Sequence, residues 1–125
     1  MFTVRETKKA PAALGPYSQA VLWGKLLFTS GQIGIDPQTG ELADGIKGQA
    51  EQVMKNLTAV LGEYGTSFEN VVKTTCFIAD MSDFAEFNAV YDRFFSFHKP
   101  ARSCVAVREL PKGALCEIEI IAVTE

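Results

Sequence analysis

Hydrophobic positions along this chain change period several times, and the changes mark its elements. Between residues 46 and 64, Ile46, Ala50, Val53, Leu57, Val60, Leu61 and Tyr64 recur three or four apart. That spacing predicts an amphipathic helix, and Gly65 stands where its C-terminal cap belongs. A second helix carries Phe84, Phe87, Tyr91, Phe94 and Phe95 on one face, with Asp80 or Ser82 as its N-terminal cap. It ends near His98, because Pro100 forces the residue before it away from helix.

Elsewhere the signal is strand-like. Residues 2–6 predict a short strand and residues 10–16, with two prolines and a glycine, a loop. Residues 18–23, Gly24-Lys25 and residues 26–30 predict a hairpin. Residues 31–35 continue irregularly into the turn-rich stretch 36–40, and the β-branched run 71–79 predicts another strand. Two more strands, from Arg102 to Arg108 and from Leu115 to Val123, close the chain. Leu110-Pro111-Lys112-Gly113 reads as a turn that joins them in a hairpin. The order β-β-β-α-β-α-β-β predicts an α+β fold, a six-stranded mixed sheet with both helices on one face.

The last strand adds a constraint. Cys116, Ile118, Ile120 and Ala122 make a wholly apolar face suited to packing under helices. Leu115, Glu117, Glu119, Ile121 and Val123 make the other, with two carboxylates about 7 Å apart along the strand. That second face is too apolar for plain exposure, and the helices cover only one side. Another subunit is the expected cover.

Composition then narrows the classes. The 125 residues fit a single domain, 1–125, without repeat or linker, and 47% hydrophobic content supplies a core. Charged residues at 22% and a mean hydropathy of +0.08 exclude disorder. A net charge of −3 and a pI of 5.2, with Lys8-Lys9 the one basic pair, argue against a nucleic-acid partner. No apolar run reaches the roughly 18 residues of a membrane span, and residues 1–10 lack a signal core, so a cytoplasmic location is expected. Cys76, Cys104 and Cys116 are odd in number and widely spaced, as free thiols in a reducing compartment would be. With no CxxC spacing and His98 the sole histidine, no metal site is expected, and a histidine dyad within one chain is impossible.

Four stretches hold the candidate chemistry: Gly15-Pro16-Tyr17-Ser18, Thr29-Ser30-Gly31-Gln32, Asn88 on the second helix, and residues 102–117. Together they resemble the Rid family of enamine/imine deaminases, also called the YjgF family. The resemblance spans essentially the whole chain and is most specific in Pro100-Ala101-Arg102-Ser103-Cys104-Val105, Leu110-Pro111-Lys112-Gly113 and Glu117-Ile118-Glu119. It implies a chorismate-mutase-like subunit in a homotrimer with clefts between neighbours. It also implies cofactor-free hydrolysis of 2-imino acids, such as the one derived from 2-aminoacrylate, to 2-keto acids and ammonia.

Residue by residue, Arg102 matches the arginine that pairs with the substrate carboxylate, a task suited to its two-donor fork. A salt bridge to Glu117 or Glu119 is its structural alternative. Glu117 matches the glutamate that positions the attacking water and handles its proton, and otherwise it is a buried structural carboxylate. Cys104 matches a cleft-lining cysteine. With no activating base in view, a shape role is expected over a nucleophilic one. Tyr17 matches an aromatic that enters the cleft from the adjacent subunit. Ser30 and Gly31 match a turn whose hydroxyl and N–H can face ligand oxygens, or a plain strand end. Asn88 lies on or beside the apolar helix face, close to the site or as a structural cap, and a buried amide there must find partners. One departure is Phe97-His98-Lys99-Pro100, more compact than in many relatives, with Lys99 in place of an aromatic.

Three functions compete: imine deaminase, a sensor of 2-keto acids or other small carboxylates, and an RNA-cleaving or translation-inhibiting protein. Acidity and the lone histidine weigh against the third. Keeping Glu117 beside Arg102 favours the first over the second, because a mere binder needs no water-handling carboxylate.

Overall fold

The computed structural model describes residues 2–124. Its elements are β1 (Phe2–Thr3), β2 (Ala20–Trp23), β3 (Leu26–Thr29), β4 (Gln32–Ile33), α1 (Gly45–Glu63), β5 (Val71–Ile78), α2 (Phe84–Phe95), β6 (Ala101–Ala106) and β7 (Cys116–Val123). Seven strands form one sheet in the order β1-β2-β3-β7-β5-β6, with β4 also on β7. This is the α+β, chorismate-mutase-like fold.

The seventh strand has a local origin. Phe28 pairs with Ile121 and Gln32 with Ile118, so the chain advances four residues while β7 advances three. Ser30-Gly31 therefore works as a β-bulge, dividing what alternation alone would join into β3 and β4.

A larger departure concerns the C-terminal strands. The predicted hairpin between them does not form. β5 lies between the two, parallel to β6 (Cys76 opposite Cys104) and antiparallel to β7 (Cys76 opposite Ile118). A turn signal such as Leu110-Pro111-Lys112-Gly113 fixes a reversal of direction, whereas the partner of each strand is set by long-range packing. β5 and β7 each bury alternate residues fully, so the interior of the sheet is theirs, and the more exposed β6 takes the edge.

α1 buries Ile46, Ala50, Val53, Met54, Leu57, Val60 and Leu61, essentially the predicted stripe, and Gly65 beyond it adopts φ 73°. Asp80 caps a short 3-10 turn by accepting from the Ser82 N–H at 2.9 Å, and α2 follows with Phe87, Tyr91 and Phe95 buried. Both helices meet the face formed by Leu27, Cys76, Ile78, Cys116, Ile118, Ile120 and Ala122.

Among the described residues, no helix covers the opposite face. Phe2, Trp23, Phe28 and Val105 are 63%, 58%, 40% and 47% exposed there. Strand register puts Lys73, Thr75, Phe77, Glu117 and Glu119 on that same side. Among the described residues, no helix is long and apolar enough to cross a membrane.

Candidate functional site

The β3–β4 bulge positions the carboxylate. A β-carbon on Gly31 would overlap the Glu117 carboxylate and come within 2.7 Å of its Cδ, so only glycine lets the chain pass over that side chain. Glu117 opens into a cavity of about 740 Å³ that Tyr17, Ser30, Gly31, Ile33, Ile35 and Lys112 help to line. Burial, reinforced by the neighbouring Glu119, raises the Glu117 carboxyl above its ordinary value of 4.5.

Buried amides hold the walls of this cavity. Gln19 accepts from the Thr7 N–H at 2.9 Å and donates to the carbonyls of Thr7 and Pro11 at 3.0 and 2.9 Å, pinning the loop that carries Tyr17. Asn56 donates to the carbonyls of Ile33 and Ile35 at 3.2 and 2.9 Å, tying the apolar wall to α1. The Ser30 hydroxyl donates to the Ser18 carbonyl at 2.6 Å, which leaves its oxygen free to accept.

Arg102 lies elsewhere. It pairs in register with Thr74, whose other neighbour is Ile120, so it projects on the helix-bearing side of the sheet. Its Nη1 donates to Asn88 Oδ1 at 2.6 Å, and its guanidinium carbon sits 4.5 Å from the Tyr91 ring centre and 5.6 Å from that of Phe84. Cys104, two residues on, shares this side and is half-buried. Burial raises its pKa while Arg102 pulls the other way, and the result remains above the ordinary thiol value. Such a thiol stays protonated at neutral pH and is poorly primed for attack. Cys76 and Cys116, deeper in the sheet, are pushed up to about 12 by burial and are free thiols as well.

The predicted residues thus fall into two groups on opposite faces. One contains Tyr17, Ser30, Gly31 and Glu117, the other Asn88, Arg102 and Cys104. No ion pair joins Arg102 to Glu117 or Glu119 among the described residues, where the one salt bridge is Arg93 with Glu51 at 2.6 Å. Proximity of Arg102 and Glu117 followed from the hairpin, and it is lost with it. Tyr17 and Glu117 line one cavity of the same chain.

Sequence reasoning passed over Gln19, Asn56, Lys112 and the Tyr91 ring as contributors. Only Lys112 carried a usable signal, a lysine inside a proline–glycine turn next to the motif. The described residues hold no cluster of His, Cys, Asp or Glu arranged to take a metal ion.

The fold is thus an α+β sheet with an acid cavity on one face and a stacked arginine on the other. The family model described as Endoribonuclease L-PSP matches residues 7–124, and the chain belongs to this family, the Rid or YjgF family. It is 48% identical over 120 residues to the 2-iminobutanoate/2-iminopropanoate deaminase of Salmonella typhimurium (strain LT2), covering 94% of each chain. A RutC family protein of Pyrococcus abyssi is 49% identical over 120 residues, covering 95% of this chain and 94% of its own. Among solved structures, Escherichia coli TdcF with bound serine superposes with a TM-score of 0.94 at 45% identity, covering 98% and 99% of the two chains.

Proposed function

We propose that this protein hydrolyses 2-imino acids to 2-keto acids and ammonia without a cofactor, in clefts that join the two groups from neighbouring copies of a homotrimer. The observation that carries the reading is the Glu117 carboxylate, its pKa raised, set against Gly31 in a cavity with a free hydroxyl oxygen. Support for the assembly comes from the uncovered sheet face and from the separation of Arg102 and Glu117 within one chain. The names borne by the Salmonella and E. coli relatives point to small amino-acid-derived carboxylates.

In this scheme Arg102 of one copy pairs with the substrate carboxylate. Glu117 of the next accepts a proton from water as the water oxygen bonds to the imine carbon, and hands that proton to the imine nitrogen, which leaves Glu117 ionised again. The carbinolamine then collapses. Its C–N bond breaks, ammonia leaves with a proton on nitrogen, the carbonyl forms, and the hydroxyl proton returns through Glu117. A carboxyl raised above its ordinary value holds a proton more readily than an exposed one, which suits accepting and then returning it. The free thiols of Cys76, Cys104 and Cys116 suit a reducing, cytoplasmic setting.

Coupling to a serine or threonine dehydratase, which releases the imine, tests the scheme. Keto acid should form faster with this protein present, and a chelator should leave the gain intact. Keto-acid binding without acceleration would make the protein a sensor instead. The family's own description favours a second reading, RNA cleavage. Against it stand the net charge of −3 and the commitment of His98, which lies 2.7 Å from the Val71 carbonyl oxygen. Intact RNA after prolonged incubation would remove that reading.

A further inference from the structure

The Arg102 guanidinium rests on a built support. Beneath it, the Tyr91 ring is 7% exposed, wedged against Phe95 at 4.7 Å and Phe87 at 6.2 Å between ring centres. The Tyr91 hydroxyl shares a 2.8 Å hydrogen bond with Thr74 Oγ1, and Thr74 is the register partner of Arg102 on the adjoining strand. The ring is therefore fixed at both ends, by aromatic packing and by β5. Asn88, one helical turn before Tyr91, takes one Nη1 proton. The Nε and Nη2 donors have no protein partner among the described residues, although they form the edge that grips a carboxylate two-fold.

We infer that Tyr91, anchored by Thr74, is a positioning residue that holds the Arg102 fork flat and ready for the substrate carboxylate before it arrives. This rests on the proposed role of Arg102. An unsupported arginine samples many rotamers and must lose that freedom on binding. A cation stacked on a buried ring has already lost most of it. The residue acts through Arg102 and touches no reacting atom.

Substitutions separate this role from ordinary core packing, with pyruvate affinity measured by calorimetry and thermal unfolding measured beside it. Tyr91→Phe keeps the ring and strands the Thr74 hydroxyl, so the melting temperature should fall while pyruvate affinity stays within about threefold of the parent. Tyr91→Leu keeps an apolar side chain and removes the π face, so affinity should fall about 5- to 30-fold, with KM rising by more than kcat falls. On an Arg102→Ala background the same Tyr91→Leu change should have no further effect. Affinity that merely tracks melting temperature across both variants would overturn the inference, as would an undiminished Tyr91→Leu effect without the arginine. If Arg102→Ala alone leaves pyruvate affinity unchanged, the proposed function falls first. Should Tyr91→Leu not fold, the parent still decides by NMR relaxation at Arg102 Nε. An order parameter near about 0.8 without ligand supports the platform, and one below about 0.6 refutes it.

Discussion

The two faces of the sheet hold their functional groups by opposite means. On the open face, Glu117 is fixed by what is missing: a side chain at Gly31, over which the bulged backbone passes. On the helix-bearing face, Arg102 is fixed by what is added: an aromatic floor, an amide and a hydroxyl anchored in β5. Backbone exclusion confers burial and a raised pKa, which suit proton transfer. Side-chain stacking leaves a cation accessible and oriented, which suits ligand capture. Each half is complete in its own terms, and the proposed hydrolysis needs both.

The largest effect should come from the capturing half. Arg102→Ala removes the proposed charge partner of the substrate, a loss of about 2–5 kcal/mol, or roughly 30- to several-thousand-fold in affinity and in kcat/KM. Glu117→Gln keeps shape and hydrogen bonding without a proton acceptor, so pyruvate binding should persist while the rate drops about 10²-fold. Mixing the two inactive variants breaks or sharpens the comparison directly. If each cleft takes Arg102 from one copy and Glu117 from the next, random reassembly of equal amounts restores about one quarter of parental activity. Activity that stays at the level of the separate variants would mean that the two halves never share a cleft.

How much of this was legible in the sequence follows from the range of each interaction. Helix stripes and the two faces of β7 are local patterns with fixed periods and formed as predicted, whereas Asp80 caps the 3-10 turn ahead of α2 and not α2 itself. The strand order was not legible. The turn at 110–113 announced a reversal, but whether β7 lies beside β6 or beyond β5 depends on competition for the sheet interior, which no local pattern records. That single misplacement brought Arg102 and Glu117 together on paper and put them on opposite faces in space. Gly31 could be picked out as a motif residue, while its reason, the approach of Glu117 from a strand some 85 residues later, required the register. Tyr91 illustrates the converse. It read correctly as a core aromatic, and its second role appeared only when β6 was seen to cross above it.

A smaller effect concerns pH. Burial and the Glu119 charge raise the Glu117 carboxyl, so the ionised form that accepts a proton from water accumulates only above 4.5. The rate should therefore fall on acidification with a midpoint above that ordinary value. Glu119→Gln removes the lesser of the two causes and should lower the midpoint without restoring it fully. The stability sign is opposite to that of a salt-bridged acid. As pH climbs from 4.5 through the raised value, the folded state holds its proton longer than the unfolded state, so this group's contribution to stability is lost with rising pH. A midpoint unchanged by Glu119→Gln would assign the shift to burial alone.

The smallest effect tests the turn at the rim of the carboxylate half. Lys112 sits at φ 59°, ψ 20°, directly before Gly113 at φ 70°, and is the one non-glycine residue in the left-handed region among those described. That conformation costs an L-residue with a β-carbon about 1–2 kcal/mol. Replacement by glycine relieves the strain but adds about 0.4–1 kcal/mol of unfolded-chain entropy, so the net gain in stability is about 0–1.6 kcal/mol. Lys112→Gly should raise the melting temperature by about 1–4 °C. Lys112→Ala retains the β-carbon and the strain, and should leave the melting temperature where it is. Equal shifts in both variants would trace the effect to the loss of the ammonium, not to the backbone.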